Sequence, residues 1–287
     1  MNAPYDRSRQ DLGNIVLLEH VNVCIPDQRL ATIFYLMGLG LTRDPYLMPG
    51  IDNMWVNVGR SQFHLPSRGT HVLRGVVGLV LPDLAALKRR LERVAPLLAE
   101  TRFAWTERDG AIEATCPWGN RFRCHAPAPA FGRTELAIAY VEFGVPHGAA
   151  AGIARFYETV LGARASLADK AGGLALVSTG PAQSLRFQET RDPLPAYDGH
   201  HVQIYISDFS GSHRKLQALG LVTEESDEYQ YRFREIVDPE NRKALFTVEH
   251  EVRSVTHPLY ARPLVNRNPD QSNQNYVRGH DAFRGTY

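Results

Sequence analysis

Four times along the chain, a short alternation of apolar and polar residues runs into a proline or aspartate turn, and a helical pattern follows. The alternations are HVNVCIP at 20–26, VVGLVLP at 76–82, YVEFGVP at 140–146 and HVQIYIS at 201–207. Their first residues, His20, Val76, Tyr140 and His201, stand 56, 64 and 61 residues apart. In the helical stretches apolar residues recur three and four apart, which puts them on one face: Leu30, Ile33, Phe34 and Met37; Leu84, Leu87, Leu91 and Val94; Ile153, Phe156, Tyr157 and Val160. The fourth helix keeps only Leu216 and Leu219. Each unit closes with another alternating strand: SQFHLP at 61–66, NRFRCHAP at 120–127, SLRFQET at 184–190 and LFTVEHEV at 245–252.

Each repeat therefore reads as strand, helix and three strands. Side chains alternate across a strand, so one face of each closing strand is apolar and the other polar. In the last one Phe246, Val248 and Val252 face the helix layer, His250 shares their side, and Thr247, Glu249 and Glu251 face away. The fold class is α+β: four βαβββ modules paired into two cup-shaped mixed sheets with helices outside. In chain order the division is 15–130 for modules one and two, 134–252 for modules three and four, and 253–287 for a proline- and asparagine-rich extended arm. The arm has enough apolar anchors, Leu259, Tyr260, Leu264, Val265, Tyr276 and Phe283 among them, to cover a cup mouth or to reach a second subunit of a homo-oligomer, and the second is the expected role.

Composition narrows the function class. Apolar content of 44%, charged content of 22% and a net charge of +1 are globular values with no basic footprint for nucleic acid. The polar N-terminus predicts no secretory signal, and no apolar run is long enough for a membrane span. Three cysteines, Cys24, Cys116 and Cys124, cannot all pair and form no CxxC set, which suits a reduced, cytoplasmic setting.

The fourfold register, the stretch HVNVCIPD with its helix and GLGL, and the turns DPENR and CPWGNR together resemble the vicinal oxygen chelate superfamily, which includes glyoxalases, bleomycin resistance proteins and extradiol dioxygenases. The resemblance covers residues 15–252. It implies metal ligands at the first position of opening strands and at a cup-facing position of closing strands. Module one then offers His20 and His64, module two Val76 and Arg123, module three Tyr140 and Gln188, and module four His201 and Glu249. All good donors lie in modules one and four. The residues therefore predict that one pairs with four and two with three, so that one cup holds the site.

On that resemblance the expected metal set is His20, His201 and Glu249, the two-histidine, one-carboxylate arrangement of non-haem Fe(II) oxygenases. His64 is either a fourth ligand or an acid/base residue. The substrate pocket is expected from Asn22, Cys24, Gln62, Gln203 and Tyr205. Tyr229 or Tyr231 is a candidate phenol, and Arg121 and Arg123 read as a solvated or salt-bridged face. The implied cofactor is a divalent metal, Fe(II) first, with Mn, Zn or Ni as alternatives. The implied activity is ring cleavage of a dihydroxylated aromatic small molecule with O2. The alternatives are a non-redox lyase, isomerase or epimerase of the glyoxalase type using Zn, Ni or Co, and a metal-free binding protein.

Overall fold

The computed structural model describes residues 5–47, 52–168 and 173–283. Module one comprises β1 (Ile15–Asn22), α1 (Gln28–Ala31), β2 (Thr42–Arg43), β3 (Asn53–Val58) and β4 (Ser61–Pro66). Module two comprises β5 (Gly75–Val80), α2 (Leu84–Val94), β6 (Ala104–Arg108), β7 (Ala111–Thr115) and β8 (Arg121–His125). Module three has β9 (Ala137–Pro146), α3 (Ala150–Thr159), β10 (Ala165–Leu167), β11 (Leu174–Gly180) and β12 (Gln183–Thr190). Module four has β13 (His201–Ile206), α4 (Phe209–Ala218), β14 (Val222–Asp227), β15 (Gln230–Val237) and β16 (Ala244–Ser254).

The strands form two eight-stranded mixed sheets. One runs β14-β15-β16-β13-β1-β4-β3-β2 and joins modules one and four. The other runs β10-β11-β12-β9-β5-β8-β7-β6 and joins modules two and three. Each sheet thus takes one module from each half of the chain. β1 and β13 meet antiparallel, with Val21 opposite Val202, His20 opposite Gln203 and Asn22 opposite His201. Exchanging the two modules maps this pattern onto itself, so a local two-fold axis passes through the valine pair.

The turn aspartates explain the charged ends of the alternations. Asp27 accepts from the backbone of Arg29 and Leu30 at 2.7 and 3.0 Å, Asp83 from Ala86 at 2.9 Å, and Asp208 from Gly211 at 3.0 Å. Each caps the N–H groups that open its helix. Module three lacks the aspartate, and Glu189 from β12 accepts from Ala150 instead, at 2.9 Å. The first helix departs from expectation: Thr32–Gly38 winds as a π-helix, and Met37, expected on the buried face, is 44% exposed. The wider turn rotates it outward while Ile33 and Phe34 stay buried.

Aromatic side chains on the faces away from the cups join the two sheets into one core. Phe34, Tyr35 and Phe63 of module one surround Phe122 of module two. Tyr157 of α3 packs on Phe187 and donates to His250 Nε2 at 2.6 Å, while His250 stacks on Phe233 at 4.3 Å. His250 is thus a core histidine, and burial holds its pKa down at about 3.

β1 carries a bulge between Leu18 and His20. A bulge interrupts the ladder and leaves a residue unpaired. The Leu18 N–H donates to Gln183 Oε1 at 3.2 Å and its carbonyl accepts from Gln183 Nε2 at 3.1 Å. The same amide reaches Ser61 Oγ and the Ile138 carbonyl, so one side chain of the second sheet fastens the bulge of the first.

The C-terminal segment folds back on its own module one. Asn266 exchanges two hydrogen bonds with Gly59 at 3.0 and 2.8 Å, Asn57 donates to the Val265 carbonyl at 2.9 Å, and Arg262 pairs with Asp44 at 2.8 Å. Tyr260 lies against Tyr205 on the cup side of β13. Of the two coverings expected for the arm, this packing is the one over its own cup. No helix among the described residues is long and apolar enough to cross a membrane.

Two expectations follow. Gln183→Ala strands the Leu18 N–H, while Ser61 Oγ still donates to the Leu18 carbonyl at 2.8 Å, and lowers stability by about 1–3 kcal/mol, read by urea unfolding. His250→Phe keeps the stack on Phe233 but strands the Tyr157 hydroxyl, so it is less stable at neutral pH by about 1–3 kcal/mol. A histidine with a depressed folded pKa loses stability as pH falls below its unfolded value of about 6.5. The deficit of the phenylalanine variant should therefore shrink between about pH 6 and 4.

Candidate metal centre

The cup-facing side chains of the first sheet lie in cross-strand rows. One row runs Glu249, His201, Asn22, His64 and Trp55; the next runs Glu251, Gln203, His20, Gln62 and Asn57. His20 stands on β1, and His64 and His201 stand on the strands to either side. The three imidazoles offer ligand atoms that all lie within 4.8 Å of one another. The ring centroid of His20 is 5.7 Å from each of the other two.

The bulge makes this possible. Side chains on successive strand residues normally point to opposite faces. Leu18 is buried in the core, whereas Glu19 and His20 both turn toward the cup, and Glu19 Oε2 stands 2.7 Å from His20 Nδ1. Nδ1–H therefore donates to the carboxylate and Nε2 presents its lone pair. A metal-bound histidine ordinarily has such a carboxylate behind it. His20 Nε2 and His201 Nε2 are both buried with no hydrogen-bond partner. An unpaired buried polar atom is costly, and two facing a third imidazole fit a divalent cation.

His64 is held differently. Its ring stacks on Trp55 at 3.9 Å and 9°. Nε2 lies 2.6 Å from Asn53 Oδ1, which can only accept, so Nε2 carries the proton. Nδ1 then accepts from the Asn22 amide at 2.7 Å. For Nδ1 to ligate, the Asn22 amide must move aside.

Burial sets the protonation. It lowers His20 to about 3 and His64 to about 2, and drives His201 well below its ordinary value. For His20 the Glu251 carboxylate pulls the other way, and for His64 and His201 the neighbouring His20 deepens the drop. All three are neutral imidazoles at pH 7, the form that binds metal. Burial also pushes Glu19 up to about 7, against the pull of Arg253.

Glu249 and Glu251 share the cup face as expected. Glu249 Oε1 lies 3.5 Å from His201 Nδ1, on the far side of that ring from the unpartnered Nε2, and Arg232 and Arg234 hold it at 2.7 and 3.4 Å. Glu251 Oε2 lies 3.6 Å from His201 Nε2, with Arg232 and Arg253 on its two oxygens. Ladder register explains the difference. His20 pairs with Gln62 and Asn22 with His64, while His201 pairs with Glu249 and Gln203 with Glu251. Under the two-fold axis His64 therefore corresponds to Glu251, and Gln62 to Glu249. Counting spacings along the chain placed Glu249 opposite His64, two residues short, because the last hairpin is longer in module four.

The polar neighbours divide. Asn22 holds His64. Gln62 donates its amide to Asn57 and Asp44 at 2.6 and 3.2 Å, and its Oε1 is buried without a partner. Gln203 stands beside His20 with both amide atoms buried and unpartnered. Tyr205 lies further along the cup under Tyr260. Cys24 is past the end of β1, beside Arg68 and Asp198, and all three cysteines are free and buried. Neither expected phenol reaches the imidazoles: Tyr231 faces the helix layer against Phe209 at 4.9 Å, and Tyr229 is half-buried beside His257. Residues 231 and 233 alternate into the core, which turns Arg232 toward the carboxylates. Arg232, Arg253 and Glu19 are the site neighbours that sequence reading missed. The alternation of charged residues in QYRFRE and EHEVR carried the signal for the two arginines; nothing in the sequence marked the bulge.

No protein-family model and no curated protein matches the sequence. Solved structures do match in shape. Glyoxalase I from Zea mays aligns with a TM-score of 0.58 over 87% of this chain and 95% of its own, at 15% identity. A candidate dioxygenase from Bacillus subtilis aligns with a TM-score of 0.57 over 85% of this chain and 86% of its own, at 16% identity. The chain has the vicinal oxygen chelate fold. At such identities the likeness extends to the fold, and within that fold the pairing of modules one with four and two with three is what gathers the imidazoles into a single cup.

Glu19→Gln, which keeps a hydrogen-bond acceptor behind His20 but removes its charge, is expected to weaken metal affinity by about 10–100-fold. Competition titration against a coloured chelator measures it; unchanged affinity would remove Glu19 from behind the ligand.

Proposed function

We propose that this protein is a divalent-metal enzyme whose substrate is a small molecule that chelates through two neighbouring oxygens, with His20, His64 and His201 as ligands. The observation that carries this reading is the pair of buried, unpartnered Nε2 atoms of His20 and His201 facing a third neutral imidazole. Such a nitrogen set suits Zn, Ni, Co or Fe(II). A cation bound there acidifies a proton beside a chelated carbonyl or on a chelated phenol.

The rest of the chemistry falls to the chain. Glu251 Oε2, 3.6 Å from His201 Nε2, stands at the edge of the centre and takes the proton from the substrate carbon. Arg232 and Arg253 fix its carboxylate, and Arg232 also ties it to Glu249. The free amide of Gln203 supports a substrate oxygen. Tyr260 and Arg262 of the C-terminal segment close the far side of the cup and limit access of water. A base beside the centre favours proton transfer without redox, in a lyase, isomerase or epimerase.

The second reading is ring cleavage of a dihydroxylated aromatic compound. It is favoured by the carboxylates being engaged by arginines, so that His20, His64 and His201 would hold the ion and leave it room for two substrate oxygens and O2. Glu249, the expected carboxylate ligand, then orients His201 from behind.

Metal analysis of protein purified without chelator separates the readings. Stoichiometric Zn, Ni or Co, with activity indifferent to oxygen, supports proton transfer. Anaerobic loading with Fe(II) followed by O2 uptake with catechols or hydroquinones supports ring cleavage. His20→Ala is expected to weaken metal binding by at least about 100-fold, the effect of losing a ligand outright. If no divalent metal binds and that variant behaves as the parent, a metal-free binding protein replaces both.

A further inference from the structure

The second sheet repeats the geometry of the first with different side chains. β5 and β9 pair with Val76 opposite Glu142 and Gly78 opposite Tyr140, so Val76 and Tyr140 occupy the positions of His20 and His201. Gly78 pairs with Arg123 and Glu142 with Arg186. The two positions held by His64 and Glu251 in the metal cup are therefore both arginine in the second cup. Such a site repels a cation. It presents two guanidinium groups related by a two-fold axis at the floor of a cavity of about 580 Å3.

Arg121 and Arg123 form the half-solvated, partly salt-bridged face expected of them, whereas Arg186 is held in place. Arg186 lies flat on the Tyr140 ring at 3.6 Å and places Nε 3.3 Å from Ser184 Oγ. Tyr140 is itself seated against Gly78, where a Cβ would come within 2.1 Å of the ring, and its hydroxyl meets His125 Nε2 at 3.0 Å. Arg121 donates to the Gly75 carbonyl at 3.3 Å. Arg123 has only long contacts, 4.0 Å to Glu113 and 3.8 Å to Asp109, and its Nε is buried without a partner. Among the described residues Arg121 and Arg186 form no ion pair. Arg108 at the rim is occupied by Asp109 at 3.7 Å. The inner wall then sets Arg121, Arg123 and Arg186 against Glu113 and Glu142, an excess of one positive charge. Burial together with Arg123 and Arg186 keeps His125 neutral, consistent with a positive field in the cup. Trp105, Val76, Ala104 and Ala114 supply the apolar side.

We propose that the second cup is a binding site for a small aromatic carboxylate, with the carboxylate between Arg123 and Arg186 and the ring against Trp105. Planar guanidinium forks match a carboxylate in two-point geometry, and a guanidinium already fixed on an aromatic ring loses little freedom on binding. The cavity volume falls within the range of small-ligand sites. The site is separate from the imidazole cup and does not depend on a metal there.

Benzoate is the probe, titrated calorimetrically into the full chain. The expected result is saturable one-site binding that weakens with added salt. Arg186→Gln and Arg123→Gln each weaken it by about tenfold or more, about 1.4 kcal/mol. Arg186→Lys, which retains charge and folding but not the planar fork, also weakens it. Trp105→Ala weakens it, and cyclohexanecarboxylate and inorganic phosphate bind less tightly than benzoate. His20→Ala binds benzoate as the parent does, which separates this site from the metal centre. Absence of saturable binding, indifference to the arginine substitutions, loss in His20→Ala, or equal affinity for phosphate or the saturated ring would overturn the proposal.

Discussion

The imidazole cluster depends on one irregularity in β1. A regular strand would send Glu19 to one face and His20 to the other. The bulge after Leu18 brings both to the cup, with the carboxylate behind the ring. A bulge leaves backbone groups without ladder partners, and here the amide of Gln183 satisfies both groups of Leu18. Gln183 belongs to the other sheet. The geometry of the histidine cup is therefore fixed partly by the contact between the two sheets.

Symmetry organises the rest. Each sheet is two modules related by a local two-fold axis between its central strands, and the closing strands place one inward residue from each module near that axis. In one sheet those positions, with the opening residues, are His20, His64, His201 and Glu251. In the other they are Val76, Arg123, Tyr140 and Arg186. The same backbone thus builds an imidazole cluster in one cup and an arginine-rich wall in the other, because the ladder fixes where side chains converge while the residues choose the charge.

Charge within the histidine cup is balanced without titrating the imidazoles. Burial keeps all three neutral, and the nearby carboxylates Glu249 and Glu251 are held by Arg232, Arg234 and Arg253. Buried charges persist when paired and hydrogen-bonded. The arrangement leaves the Nε2 atoms of His20 and His201 unpartnered, with Glu251 held beside them by two arginines rather than by solvent.

The four modules, their helices, the polar cup faces and the pairing of one with four were legible in the sequence. Periodicity of two and of 3.6 separates strand from helix, and donors concentrated in HVNVCIPD, SQFHLP and HVQIYIS demand a common cup. His20 and His201 were expected as ligands from the family resemblance of that pattern, with Glu249 as the third and His64 as a fourth ligand or acid/base residue. What the sequence left open was register. A slip of two residues preserves the face of a strand, so Glu249 and Glu251 look alike in LFTVEHEV, and only the hydrogen-bonded ladder sets Glu251 opposite His64. The bulge at Glu19, the π turn that exposes Met37, and the placing of Arg123 and Arg186 on one cavity wall were likewise decided by tertiary structure. Each depends on which strand lies alongside, and local alternation carries no information about a neighbour more than a hundred residues away or about the backbone groups that neighbour satisfies.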